Sequence, residues 1–214
     1  MSTPPVAVVD YGRGNLFSVC QAVAAVGGAP VLTADPAVVA AAERVVLPGV
    51  GAFGDAMATL AAAGLDEALR RFAATGRPLL GVCLGMQLLF EASSEFGHHA
   101  GLGLLAGRVD RLPAPPANGR DKIPNVGWCP LQPSAGRGWN GTLLATVKPG
   151  EWAYFVHSFA AIPREASHRL ADIAFAGEPV TAAVAAGAIV GCQFHPEKSG
   201  RVGLGIYEAF VHRT

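Results

Sequence analysis

A sulfur nucleophile and a base able to serve it stand far apart in this chain, at Cys83 and His195. Cys83 is the centre of Gly81-Val82-Cys83-Leu84-Gly85. The apolar Pro78-Leu79-Leu80 precedes it, and Met86-Gln87-Leu88-Leu89-Phe90 follows in a helical pattern. Small-x-nucleophile-x-small between a strand and a helix is the sharp turn that lifts a reactive side chain above a sheet. Glycines on both sides suit such a turn, because side chains there would meet neighbouring backbone. A cysteine at the start of a helix also lies where partial positive charge favours thiolate over thiol. The chemistry predicted is attack of sulfur on a carbonyl carbon.

A thiolate nucleophile needs a base and a group that orients it. Phe194-His195-Pro196-Glu197 offers both. If this segment ends a strand, His195 and Glu197 project to one face, and Pro196 is tolerated there. Glu197 then accepts from one imidazole nitrogen and leaves the other for Cys83. Taken singly, a cysteine after an apolar strand is usually inert core, and His-Pro-Glu is usually a surface turn. Together, with the glycines, they point to catalysis. Cys20, on the apolar face of the first helix, and Cys192, within an apolar strand, read as packing residues.

The elements that must position these residues follow from periodicity. Val6 to Asp10 reads as a buried strand, and Leu16, Val19, Cys20, Val23 and Val26 as a helix face with Asn15 at its N-cap. Pro30–Thr33 and Arg44–Leu47 read as strands, with a short helix begun by Asp35-Pro36 between them. Asp55 to Thr75, interrupted at Gly64, is helical, and Pro78 to Val82 delivers Cys83. This alternation predicts a parallel sheet covered on both faces. Beyond Gly107 the pattern changes to short β-like runs at Val109–Leu112, Trp152–Val156, Leu170–Phe175, Val180–Val184 and Ala188–Phe194. Val202 to Val211 closes the chain as a helix, and 113–119 reads as a loop. The expected fold is an open, mainly parallel α/β sheet flanked by helices, flavodoxin-like, with additional strands in the second half. Residues 1–214 are expected to form one domain.

Composition narrows the function classes. A formal net charge of +0 with 15% charged residues gives no basic excess for nucleic acid. Hydrophobic content is 51%, yet no run approaches the roughly 20 apolar residues of a membrane span. Met1 to Pro5 lack the pattern of a signal peptide, so a cytoplasmic protein with four free cysteines is expected. No Cys-x-x-Cys pair suggests zinc.

Gly-Val-Cys-Leu-Gly with a distant His-Pro-Glu resembles the class I glutamine amidotransferases, whose glutaminase domains carry a Cys-His-Glu triad. Further stretches narrow the resemblance: Asp10-Tyr11-Gly12-Arg13-Gly14-Asn15-Leu16, Leu47-Pro48-Gly49-Val50-Gly51-Ala52-Phe53-Gly54, Tyr154-Phe155-Val156-His157-Ser158 and Gln193-Phe194-His195-Pro196-Glu197-Lys198-Ser199. With these, the chain resembles the family of glutaminase subunits of imidazole glycerol phosphate synthase, from first strand to last helix.

The resemblance implies hydrolysis of L-glutamine by Cys83, His195 and Glu197 through a γ-glutamyl thioester. It implies an oxyanion hole built from the amide of Leu84 and the loop at Val50 and Gly51. Gln87, one helical turn beyond Cys83, and Glu95 match glutamine-binding positions, and His157 and Ser158 would line the same pocket. No metal and no organic cofactor is implied. The ammonia would pass to a separate (β/α)₈ cyclase subunit, for which this chain is too short, with Trp128 and the loop around Asn15 as interface candidates. Asn125 and Cys129 depart from the histidine and asparagine usual in similar proteins. A glutaminase serving pyridoxal phosphate synthesis is the nearest alternative; a non-catalytic subunit and a cysteine hydrolase of peptides or acyl esters stand further off.

Overall fold

The computed structural model describes residues 4–119, 121–134 and 136–212. Met1–Thr3, within the segment read for a leader, lie outside them. The first half alternates as its periodicity predicts: β1 (Pro5–Val9), α1 (Leu16–Ala25), β2 (Ala29–Thr33), α2 (Pro36–Ala41), β3 (Val45–Leu47), α3 (Phe53–Ala62), α4 (Leu65–Ala74) and β4 (Leu79–Val82). Asp35 caps α2 by accepting from the Ala37 amide at 2.8 Å, and Gly64, at φ +68°, makes the left-handed break between α3 and α4. Asn15 occupies the N-cap of α1, but its side chain makes no capping bond.

The chain continues through α5 (Leu84–Leu88), β5 (Phe90–Ser93), β6 (His99–Ala100), β7 (Leu105–Arg111), β8 (Asn125–Pro130) and β9 (Gln132–Pro133). It ends with β10 (Trp152–His157), β11 (Phe159–Pro163), β12 (Arg169–Phe175), β13 (Glu178–Ala186), β14 (Ile189–Cys192) and α6 (Gly200–His212). The main sheet runs β2-β1-β3-β4-β14-β13-β12-β9. Its first five strands are parallel and the rest antiparallel. Two smaller sheets, β10-β8 and β11-β7-β5-β6, lie beside it.

Strand alternation sends neighbouring side chains of β1 into two different cores. Val6 and Val8 pack with Val19 and Val23 of α1 and with Ile206 and Phe210 of α6. Ala7 and Val9 pack with Leu60 of α3 and with Leu69 and Phe72 of α4. Burying each Val or Leu contributes about 1.5–3 kcal/mol, so covering both faces requires the unbroken apolar runs seen in β1, β3 and β4.

One expectation needs correction. The helix after Cys83 ends at Leu88, and Phe90, expected to continue it, begins β5. The amides of Leu102, Leu104 and Gly103 take the carbonyls of Leu88, Leu89 and Phe90, at 2.9, 2.8 and 3.1 Å. Those acceptors are therefore not available to a further helical turn.

Candidate active site

Parallel strands β1, β3, β4 and β14 point the same way, so their C-terminal loops gather on one rim, where open α/β sheets hold ligands. From β4 comes Cys83, in a sparsely populated backbone conformation for a non-glycine residue (φ 54°, ψ −113°). Its amide donates to Cys192 O of β14 at 2.7 Å, and its carbonyl accepts from Met86 and Gln87 as α5 begins. The flanking glycines are dictated by space. A Cβ on Gly81 would stand 2.8 Å from the Gly85 carbonyl oxygen, and one on Gly85 would stand 1.8 Å from that of Leu47.

His195 and Glu197 come from beyond β14. The segment is not a strand end, as the alternation argument assumed. Pro196–Lys198 form a single 3₁₀ turn, closed by Lys198 N to His195 O at 3.0 Å. That turn still places Glu197 Oε1 2.8 Å from His195 Nδ1, with side-chain exposures of 5% for His195 and 1% for Glu197. Burial by itself lowers the basicity of this imidazole. Hydrogen bonding to Cys83 and Glu197, and their charges, outweigh burial and bring the pKa from 6.5 up to about 9. The imidazolium is thus the favoured form at neutral pH.

A cavity of about 310 Å³ opens over the sulfur. Except for Glu197, which lies behind His195, every residue read from the sequence as catalytic, oxyanion-binding or glutamine-binding borders it: Cys83, His195, Leu84, Val50, Gly51, Gln87, Glu95, His157 and Ser158. Leu84 stands at the first position of α5, where an amide has no intrahelical acceptor. Gly49 is fixed by close approach, since a Cβ there would lie 2.4 Å from the Tyr11 hydroxyl and 3.0 Å from Leu84 Cβ. That hydroxyl donates to the Pro48 carbonyl at 3.0 Å and so anchors the loop beside the nucleophile.

The pocket walls carry bonds of their own. Gln87 Nε2 donates to Phe159 O and to Gln193 Oε1, both at 2.9 Å. Glu95 Oε2 accepts from the Phe53 amide at 2.7 Å, tying the wall to the start of α3. His157 Nδ1 donates to Phe159 O at 2.9 Å, which leaves Nε2 to accept from Asn125 Nδ2 at 3.1 Å. Burial, aided by the charge of His195, lowers His157 to about 4 against the hydrogen bond it donates to Phe159 O. It is neutral at pH 7 and does not compete as the base. Cys129 lies 3.8 Å from Asn125, so the two departures from the resembled pattern sit together on this wall.

Sequence reasoning passed over Gln193. It is fully buried, and its Nε2 approaches Cys83 Sγ at 3.9 Å while its oxygen holds Gln87. The available signal was an amide placed inside an apolar strand end, where it must find partners. Trp128 is half exposed and stacks edge-on with Tyr154 at 5.9 Å.

A nucleophile elbow facing a His-Glu pair across the rim of this sheet defines a glutamine amidotransferase of class I. The description "Glutamine amidotransferase class-I" matches residues 7–213. Within that class, the chain belongs to the family of imidazole glycerol phosphate synthase HisH subunits. It is 44% identical to "Imidazole glycerol phosphate synthase subunit HisH 1" of Legionella pneumophila (strain Lens), over 96% of this chain and 98% of that protein. It is 46% identical to subunit HisH of Synechococcus elongatus, over 98% and 94%. Among solved structures, PurLQS from Thermotoga maritima superposes with a TM-score of 0.72 at 19% identity, over 98% of each chain. A crystal structure named glutamine amidotransferase gives 0.69 at 18%, over 95% and 96%. At such identity these two structures attest the fold alone.

Proposed function

We propose that Cys83, His195 and Glu197 hydrolyse L-glutamine to glutamate and ammonia, with residues 1–214 acting as one glutaminase unit. Cys83 Sγ attacks the side-chain amide carbon, and the tetrahedral oxyanion is met by the amide of Leu84 and by the loop at Val50 and Gly51. The C–N bond breaks as protonated His195 gives its proton to the leaving nitrogen, and ammonia departs from a γ-glutamyl thioester. His195, now neutral, takes a proton from water as its oxygen attacks the thioester, which releases glutamate and restores the thiolate beside protonated His195. Glu197 holds the imidazole by Nδ1. Gln87, Glu95, His157 and Ser158 shape the glutamine pocket.

The observation that carries the reading is the buried imidazole, held by a carboxylate at 2.8 Å and sharing one cavity wall with the sulfur of Cys83. The names borne by its relatives support a synthase partner for the ammonia, a (β/α)₈ cyclase that makes imidazole glycerol phosphate and an aminoimidazole carboxamide ribonucleotide. The relatives cited above bear that name rather than one from pyridoxal phosphate synthesis. A docking face is available beside the site: β8 and β10 pair Val126 with Val156, Trp128 with Tyr154 and Pro130 with Trp152. Val126, Trp128, Trp152 and Val156 of this ladder are exposed, as is Phe17 near Asn15. No helix of the described residues is long and apolar enough to cross a membrane, and we place the reaction in the cytoplasm. Cys83→Ala tests the core of the reading. Glutamate release, measured with candidate cyclase present and absent, should vanish; full residual activity refutes it.

A further inference from the structure

Glu197 offers His195 only one of its two oxygens. Oε1 meets the imidazole at 2.8 Å, whereas Oε2 is buried without a hydrogen-bond partner among the described residues. The hydroxyl of Tyr207 is in the same condition, unpartnered on a side chain with 0% exposure. Each such group loses its hydration and gains nothing in return, an arrangement that folded proteins rarely keep.

The elements that carry the two groups are packed against each other. Gly203 lets α6 rest directly on the Pro196–Lys198 turn, so closely that a Cβ there would stand 1.7 Å from the Pro196 carbonyl oxygen. Tyr207 is four residues further along, and its side chain leaves the helix on the same face. Burial first, and the charge of Glu197 next, raise the Tyr207 hydroxyl well above its ordinary value, which keeps it a donor. The other titratable neighbours are Cys192 of β14 and Cys20 of α1. Burial raises both thiols, so neither brings a competing charge to the carboxylate.

We propose that the Tyr207 hydroxyl donates to Oε2 of Glu197, directly or across one buried water, and is a positioning residue for the His195 imidazole. A carboxylate held at both oxygens cannot swing about its last carbon–carbon bond; one held at a single oxygen can. The proposal rests on the reading of Glu197 as the orienter of His195.

Tyr207→Phe keeps the ring and removes only the hydroxyl. Glutamine hydrolysis is measured per Cys83 titrated with a chloroketone analogue of glutamine, so misfolded protein does not enter the rate. The kcat should fall about tenfold while KM stays within about twofold, the scale of one charge-assisted hydrogen bond. In a Glu197→Gln background the same change should alter kcat by less than about twofold, because the hydroxyl then has no carboxylate to hold. Unchanged kcat in Tyr207→Phe overturns the proposal, and so do equal losses in both backgrounds, which would mean an effect through packing. A fully active Glu197→Gln sinks the orienter reading and this proposal with it. A slow Glu197→Gln beside a fully active Tyr207→Phe sinks this proposal alone. In the wild type, the Tyr207 hydroxyl proton should exchange slowly by NMR; rapid exchange overturns the proposal without any variant.

Discussion

Replacing Glu197 by Gln removes one negative charge from a buried site while leaving the side-chain shape nearly intact. His195 stands at about 9 against an ordinary 6.5. At 1.36 kcal/mol for each tenfold change in proton affinity, that difference favours the imidazolium by about 3 kcal/mol. Burial opposes it, so Cys83 and Glu197 together supply more than this net amount. The amide retains the burial and gives up the charge. The pKa of His195 should therefore drop by more than one unit, to below about 8, as followed by NMR titration of the imidazole carbon-bound protons. Glutamine turnover should fall by about 10²–10⁴, because a glutamine side chain can donate to Nδ1 and stabilise the wrong tautomer.

Linkage gives a second reading of the same perturbation. A base whose folded pKa is raised adds stability that is fully present below the unfolded value of 6.5 and is lost as pH climbs through about 9. Wild-type stability should thus decline between those limits in urea titrations, and Glu197→Gln should flatten the decline. An imidazole that still titrates near 9 in the variant refutes the assignment of Glu197 as its partner.

Further outcomes follow from packing and charge elsewhere. Gly85→Ala drives a methyl to 1.8 Å from the Leu47 carbonyl oxygen, and the resulting overpacking should cost about 3 kcal/mol or prevent folding; a melting temperature equal to wild type contradicts it. His157, lowered to about 4, should show no NMR titration between pH 5 and 8. Its contribution to stability is present above 6.5 and lost as pH falls toward 4, so a midpoint near 6.5 would show that its burial is misjudged. Trp128→Ala should weaken cyclase binding by about 2 kcal/mol, near thirtyfold in Kd by calorimetry, with unstimulated hydrolysis unchanged. An unaltered Kd would remove the β8–β10 face from the interface.

Local signals carried the reading of the first half. Apolar runs bounded by glycine, proline and Asp35 marked each parallel strand and helix to within a residue or two, because those boundaries are written in neighbouring residues. The elbow was legible for the same reason, as Gly81 and Gly85 mark a turn with no room for Cβ. What stayed hidden depends on partners distant in the chain. Phe90 leaves helical geometry only because 102–104 arrive to take its carbonyl and the two before it; β8, β9 and β11 went unread because their pairing is non-local, and the β5–β6 hairpin because β6 is only two residues long. His195 and Glu197, read as projecting together from a strand end, do meet at 2.8 Å, but through a 3₁₀ turn instead of a strand. Gln193 and Tyr207 look like ordinary interior residues until β14 and α6 have docked.

The position of β14 sets a timetable for the site. Lying between β4 and β13 in the sheet, this strand leaves the ribosome after every other strand of that sheet, and His195 follows it. A nascent chain that has emerged only through β13 carries Cys83 but lacks both the Cys192 carbonyl that takes its amide and the imidazole beyond it. Insertion of one central strand then completes the sheet and brings the imidazole to the wall of the Cys83 cavity in a single event.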